Sequence, residues 1–139
     1  MTNFTIQEIV APGPWQKVFK LFRNDKCLID EFKDEILKDH NLKDQWYELM
    51  AILKEVSENK MIPKTRFRKL SLGVKIKQSM YEAKSKHLRL YILKENDAEK
   101  ILIIGGKKKT QKKDIERIKR ILKEYTHFQN QLKNNNHDY

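Results

Sequence analysis

The chain has 139 residues, 39% of them hydrophobic, with a single cysteine and a formal net charge of +11. That length suits one domain around one core, and the apolar residues fall in periodic patches, which argues against a disordered chain. The longest apolar run, Ile101 to Ile104, is far below the roughly 20 residues a membrane-spanning helix needs.

The first sixteen residues read as an arm, because Pro12-Gly13-Pro14 interrupts any regular element. Met1-Thr2-Asn3-Phe4 carries neither a cationic leader nor a signal-peptide core, so the expectation is a cytoplasmic protein. Lys17 to Arg23 is apolar enough for a strand, with Asn24-Asp25 as its turn. Leu28, Ile29, Phe32, Ile36 and Leu37 then share one helical face. After Asp39-His40-Asn41, a second amphipathic helix is marked by Leu42, Trp46, Leu49, Met50, Leu53 and Val56; Asn59 closes it before Pro63. Together they predict an N-terminal helical hairpin with an acidic outer face.

The period changes in the second half. Phe67 to Leu72 leads into Val74 and Ile76, which alternate with Lys75 and Lys77 as in a strand. Leu88 to Leu93 is a further strand, bounded by the turn Glu95-Asn96-Asp97. Lys100 to Ile104 has the character of a central strand, stopped by Gly105-Gly106. These three can join as an antiparallel meander. A last helix begins after Asp114, a candidate N-cap, with Ile115, Ile118, Ile121, Leu122, Tyr125 and Phe128 as its seam. The fold class predicted is α+β: an antiparallel sheet of about four strands, the N-terminal hairpin and a C-terminal helix. Residues 1–16 form the arm, 17–128 the domain and 129–139 a flexible tail.

Charge is segregated along this plan. Residues 1–59 hold eight Lys and Arg against eleven Asp and Glu, whereas residues 60–124 hold twenty-one against seven. A surface serving only solubility intersperses both signs, so the basic half points to a polyanionic partner such as RNA. Its densest stretch, Gly105-Gly106-Lys107-Lys108-Lys109-Thr110-Gln111-Lys112-Lys113, joins the central strand to the last helix and lacks Walker A spacing. A phosphodiester backbone is its natural ligand. Lys75, Lys77, Lys84, Lys86 and Arg89 are expected to project from strands onto one cationic sheet face. Tyr81 and Tyr91 offer either base-stacking surface or core.

Such a surface suits metal-independent RNA cleavage. Cations stabilise the phosphate when a 2′-hydroxyl attacks it, and a lysine crowded by other cations can work as a base. Glu82 reads as a salt-bridge partner in preference to a base. His40, His87, His127 and His137 have no metal-site spacing with one another or with Cys27. His87 and His127 read as surface residues, Cys27 as a buried structural thiol, and Trp15 and Trp46 as packing residues. No metal or other cofactor is expected.

The segments Met80-Tyr81-Glu82-Ala83-Lys84, Leu88-Arg89-Leu90-Tyr91, Ile101 to Ile104 and Gly106 to Ile115, in this order and spacing, resemble the RelE/ParE superfamily of type II toxins, especially its HigB-like branch. The likeness spans about residues 17 to 128. Lys84 stands where the strand motif usually has Arg, Gly105-Gly106 replaces an aromatic-containing junction, and no terminal histidine-tyrosine pair is recognisable. The resemblance implies a microbial-ribonuclease-like fold and ribosome-dependent mRNA cleavage without metal. It also implies a cognate antitoxin, of helix-turn-helix type, that covers or remodels the basic face. By motif it matches Arg89 and the segment Lys107, Lys108, Lys109 and Lys112, with Lys75 and Lys77 only loosely comparable. Charge segregation, the sheet face and the resemblance together assign catalysis to Arg89 and Lys108, with Lys75 or Lys77 as acid or base. RNA binding falls to Lys84, Lys86, Lys107, Lys109, Gln111 and Lys112. The rival readings are a ParE-like gyrase inhibitor and an inactive RNA-binding module.

Overall fold

The computed structural model of the protein describes residues 2–9 and 16–137. The expected break at Pro12-Gly13-Pro14 and the packing role of Trp15 lie outside the described residues. The fold is α+β, a mixed seven-stranded sheet with three α-helices, the last of them C-terminal. Among the described residues, no helix is long and apolar enough to cross a membrane.

The strands are β1 (Phe4–Glu8), β2 (Lys17–Arg23), β3 (Lys26–Cys27), β4 (Phe67–Leu70), β5 (Ser79–Lys84), β6 (Leu88–Asn96) and β7 (Glu99–Lys107); the helices are α1 (Leu28–Leu37), α2 (Lys43–Ser57) and α3 (Gln111–His137). The sheet order is β1-β2-β7-β6-β5-β4, with β3 beside β2. β4 through β7 form the antiparallel meander. The sheet is not wholly antiparallel as expected: β2 runs parallel to β7, with Phe19 opposite Ile101. Two helices between β2 and the meander supply the long crossover that a parallel neighbour needs.

Several boundaries differ from the sequence reading. The N-terminal segment contributes β1 as an edge strand on β2. Residues 74–77 form a loop, not the expected strand, so Lys75 and Lys77 share no sheet face. β7 passes straight through Gly105-Gly106. The last helix starts at Gln111 after a single 3-10 turn, Lys108–Thr110, and continues through His137, past the point where a flexible tail was expected. α1 and α2 fall where two helices are read from the sequence, and Asn59 follows α2 with a φ of 59°. Asn24 and Asp25 both take positive φ in the tight β2–β3 turn, a conformation these two residue types tolerate.

Both faces of the sheet are covered, and this decides where the polar groups go. On one face α1 and α2 pack Ile29, Phe32, Ile36, Trp46 and Leu49 against Val18, Leu88, Leu90 and Ile92. On the other, α3 lays Ile118, Ile121, Leu122 and Tyr125 over Leu21, Met80, Tyr91, Leu93 and Ile103. Alternation along β6 thus sends apolar side chains both ways. Arg23 fastens α3 to β2 through a two-pronged bond to Glu124, both contacts at 2.9 Å. Cys27 is buried at the start of α1, where burial raises its thiol pKa and makes it a poor nucleophile.

Candidate nucleic-acid interface

The basic junction lies at the end of the sheet where β5 finishes, β6 begins and β7 runs out. Across the face beneath α3, Arg68, Glu82 and Tyr91 stand in one cross-strand row, and Lys84, Arg89 and Gly106 in the next. The expected open cationic platform is absent from this face, because α3 covers it. Arg89 is only 5% exposed. Its Nη1 donates to the carbonyls of Ser85 at 2.7 Å and Leu88 at 2.8 Å. Its Nε is buried and makes no hydrogen bond among the described residues. Among the described residues Arg89 forms no ion pair, and a buried guanidinium held by carbonyls alone is costly to keep.

Glu82 is fully buried and behaves as the salt-bridge partner read from the sequence. It accepts from Arg68 Nε at 2.6 Å and from Gln111 Nε2 at 2.5 Å. The second bond pins the first residue of α3 to β5, so Gln111 acts inside the fold and not only at the surface. The buried Tyr91 hydroxyl makes no hydrogen bond of ordinary geometry. Burial pushes its pKa up to about 12, a rise that the neighbouring Gln111 partly offsets.

The two glycines allow close approach from opposite sides. A Cβ on Gly105 would lie 2.2 Å from the Phe32 ring of α1, and one on Gly106 would lie 2.0 Å from Asp114 Oδ2 of α3. Asp114 is therefore no N-cap: it sits in the first turn, pressed on the β7 backbone, and accepts from Thr110 Oγ1 at 2.8 Å. Burial raises its carboxyl pKa, and the Thr110 bond works against that rise.

Around this buried base the lysines fan outward. Lys86, Lys108, Lys109 and Lys112 are exposed, and Lys84 and Lys107 are half-buried. The Lys108 backbone N–H donates to the His87 carbonyl at 2.7 Å, tying the junction to the β5–β6 turn. Lys107 Nζ lies 3.9 Å from Glu35, a weak tether. Together with the first amides of α3, this end of the sheet is suited to hold an anion.

Lys75 and Lys77 are elsewhere. They line a groove of about 770 Å³ between the 71–78 loop and the middle of α3, beside Glu95. Arg89 and Glu95 lie six residues apart on one strand, so the two sites are separated by roughly 20 Å. The structure thus brings Arg89, Lys84, Lys86, Gln111 and the junction lysines together, and leaves Lys75 and Lys77 out. Tyr81 stacks on Phe67, with ring centroids 5.1 Å apart and an interplanar angle of 4°, and packs against the α1/α2 core. Among the described residues no cluster of His, Cys, Asp and Glu could hold a metal.

Sequence reasoning did not identify Arg68, Gln45 or Ser85 as parts of this end. Gln45 of α2 reaches the β5–β6 turn, bonding Ser85 Oγ and the His87 backbone N–H, each at 2.7 Å. No local pattern in α2 points to a partner forty residues away. No family model, curated protein or solved structure matches the chain.

Proposed function

We propose that this chain is a type II toxin of the RelE/HigB kind, an endoribonuclease that cuts mRNA on the ribosome in the cytoplasm without metal. The observation that carries the reading is Arg89: a buried guanidinium with a donor left unmade, under a surface of lysines. A phosphate arriving at that surface would pair with this buried charge, which gives the fold a reason to keep it.

In this mechanism Lys108, Lys109 and Lys112 contact the RNA backbone, with Lys84, Lys86 and Lys107 at the margin. Arg89 adds its positive charge from below to stabilise the phosphate as the 2′-hydroxyl attacks. A junction lysine takes the 2′-hydroxyl proton, in place of the distant Lys75 or Lys77; the P–O5′ bond breaks, and the 5′-oxygen leaves with a proton from a second junction lysine.

The cognate antitoxin is assigned to the groove at Lys75 and Lys77. Its floor is apolar, with Leu72, Ile76 and Leu122, and its rim adds Lys119, Lys123 and Lys133. The one carboxylate there, Glu95, faces Gln78 and Gln129, each at 3.4 Å. An acidic amphipathic segment complements such a groove.

The test is induction of the wild type and of a Lys108→Ala, Lys109→Ala, Lys112→Ala variant in bacteria, with growth followed and mRNA 5′ ends mapped. Growth arrest with new in-frame cuts, both lost in the variant, is the expected result. Arrest with DNA-damage signalling and intact mRNA would favour gyrase inhibition. No arrest, with salt-sensitive RNA binding retained, would leave an RNA-binding module.

A further inference from the structure

A second cavity, of about 580 Å³, opens on the α1/α2 side of the same sheet end, between the Asp39–Leu42 turn, His87 and Lys107–Lys109. Its size falls within the range of small-ligand pockets, and Leu42 together with the lysine stems gives it apolar walls. His87 is exposed at this cavity, and its protonation pattern is fixed by a chain of hydrogen bonds.

The Leu88 N–H donates to Ser85 Oγ at 3.1 Å, so the Ser85 hydroxyl proton is free to go to Gln45 Oε1, 2.7 Å away. The His87 backbone N–H donates to the same oxygen at 2.7 Å. With Oε1 accepting twice, the orientation of the Gln45 amide is settled, and its Nε2 must donate to His87 Nδ1 at 2.8 Å. The lone pair of Nδ1 is thereby occupied. The neutral ring carries its proton on Nε2, where it has a donor to offer and no lone pair with which to act as a base.

We propose that this cavity is a subsite for one unpaired RNA nucleotide, in which His87 donates from Nε2 to a phosphate oxygen and Leu42 faces the base. The assignment rests on the RNA reading above. Three lysines and a histidine donor select an anionic ligand, and the single carboxylate, Asp39, is already engaged by the Asn41 N–H at 2.8 Å. His87 is thus a substrate-contacting donor at a place where general-base chemistry is closed to it.

The experiment uses the full chain with ¹⁵N-labelled histidine and a short single-stranded RNA made uncleavable by 2′-O-methylation. Without RNA, the expected spectrum shows His87 protonated at Nε2 and not at Nδ1. With RNA, its Nε2–H signal moves, and His87→Ala weakens binding by about tenfold, as loss of a hydrogen bond to a charged group would. Gln45→Met, which frees the ring but leaves His87 in place, weakens binding by a smaller factor. An Nδ1–H tautomer in the wild type would overturn the proposal. So would full-strength binding by His87→Ala, and that result would leave the RNA reading standing. A wild type that fails to bind the RNA would remove the subsite and the RNA reading together.

Discussion

Replacing Gly106 with Ala places a methyl group where the structure has none to spare. The new Cβ would meet Asp114 Oδ2 at 2.0 Å and Cγ at 2.8 Å. Ordinary contact needs more than 3 Å, so the carboxylate must retreat by roughly 1 Å or the first turn of α3 must lift. Either movement strains the Thr110 Oγ1 bond to the same oxygen, now 2.8 Å. Overpacking of this kind costs about 1–3 kcal/mol, and a lost hydrogen bond about 1 kcal/mol more, so a fall of about 2–4 kcal/mol is expected. For a domain of this size that lowers Tm by roughly 7–14 °C. Urea denaturation of the wild type, Gly106→Ala, Asp114→Ala and the double variant forms a cycle. The double variant should lie close to Asp114→Ala alone, so that the coupling equals the whole Gly106→Ala cost of about 2–4 kcal/mol. A Gly106→Ala protein as stable as the wild type, or one not rescued by Asp114→Ala, would refute the close approach of α3 to β7.

Four other outcomes follow from the same geometry. The affinity for single-stranded RNA should fall with salt at a slope near −0.7 per phosphate contacted, and Lys108→Ala should make it shallower by about 0.7. The raised Asp114 pKa means that the folded state holds this proton more tightly than the unfolded chain, whose value is 3.8. Stability should therefore decline as pH rises from about 3.8 through the folded value, and Asp114→Asn should remove that part of the decline in a pH series of urea melts. Tyr91→Phe removes a buried hydroxyl that, among the described residues, makes no hydrogen bond of ordinary geometry, and should leave stability unchanged or raise it by about 1 kcal/mol; a loss above about 1 kcal/mol would show that its contact with Gln111 is a full hydrogen bond. Lys119→Glu with Lys123→Glu should abolish binding of an acidic antitoxin segment at the groove, measured by calorimetry, while RNA affinity changes by less than in the junction variant.

The elements whose evidence is local were legible in the chain alone. The apolar spacing of Leu28, Ile29, Phe32, Ile36 and Leu37 marks α1, and that of Trp46, Leu49, Leu53 and Val56 marks α2. The runs at Leu88 and Ile101 mark the two central strands, which are nearly continuous in apolar residues because both their faces are buried. That near-continuity was also the available signal that no open platform would exist there. Arg89 interrupts an otherwise apolar stretch, and such a residue is either exposed on one face or held inside for a reason. Charge segregation too is legible from composition alone.

Which surface covers which depends on packing between segments far apart in the chain. Alternation within Val74-Lys75-Ile76-Lys77 satisfies a strand pattern, yet no neighbouring strand pairs with it, and a strand without a ladder does not persist. Gly105-Gly106 reads as a stop in isolation. In place, the glycines let β7 run on while Phe32 and Asp114 press on its two sides. β2 joins the meander in parallel because a two-helix crossover returns the chain to the far side of β7. The burial of Arg89, the separation of Lys75 and Lys77 from the junction, and the hold of Gln45 on His87 all follow from where α2 and α3 come to rest. Periodicity records which way a side chain points; what it meets there is set by segments distant in the chain.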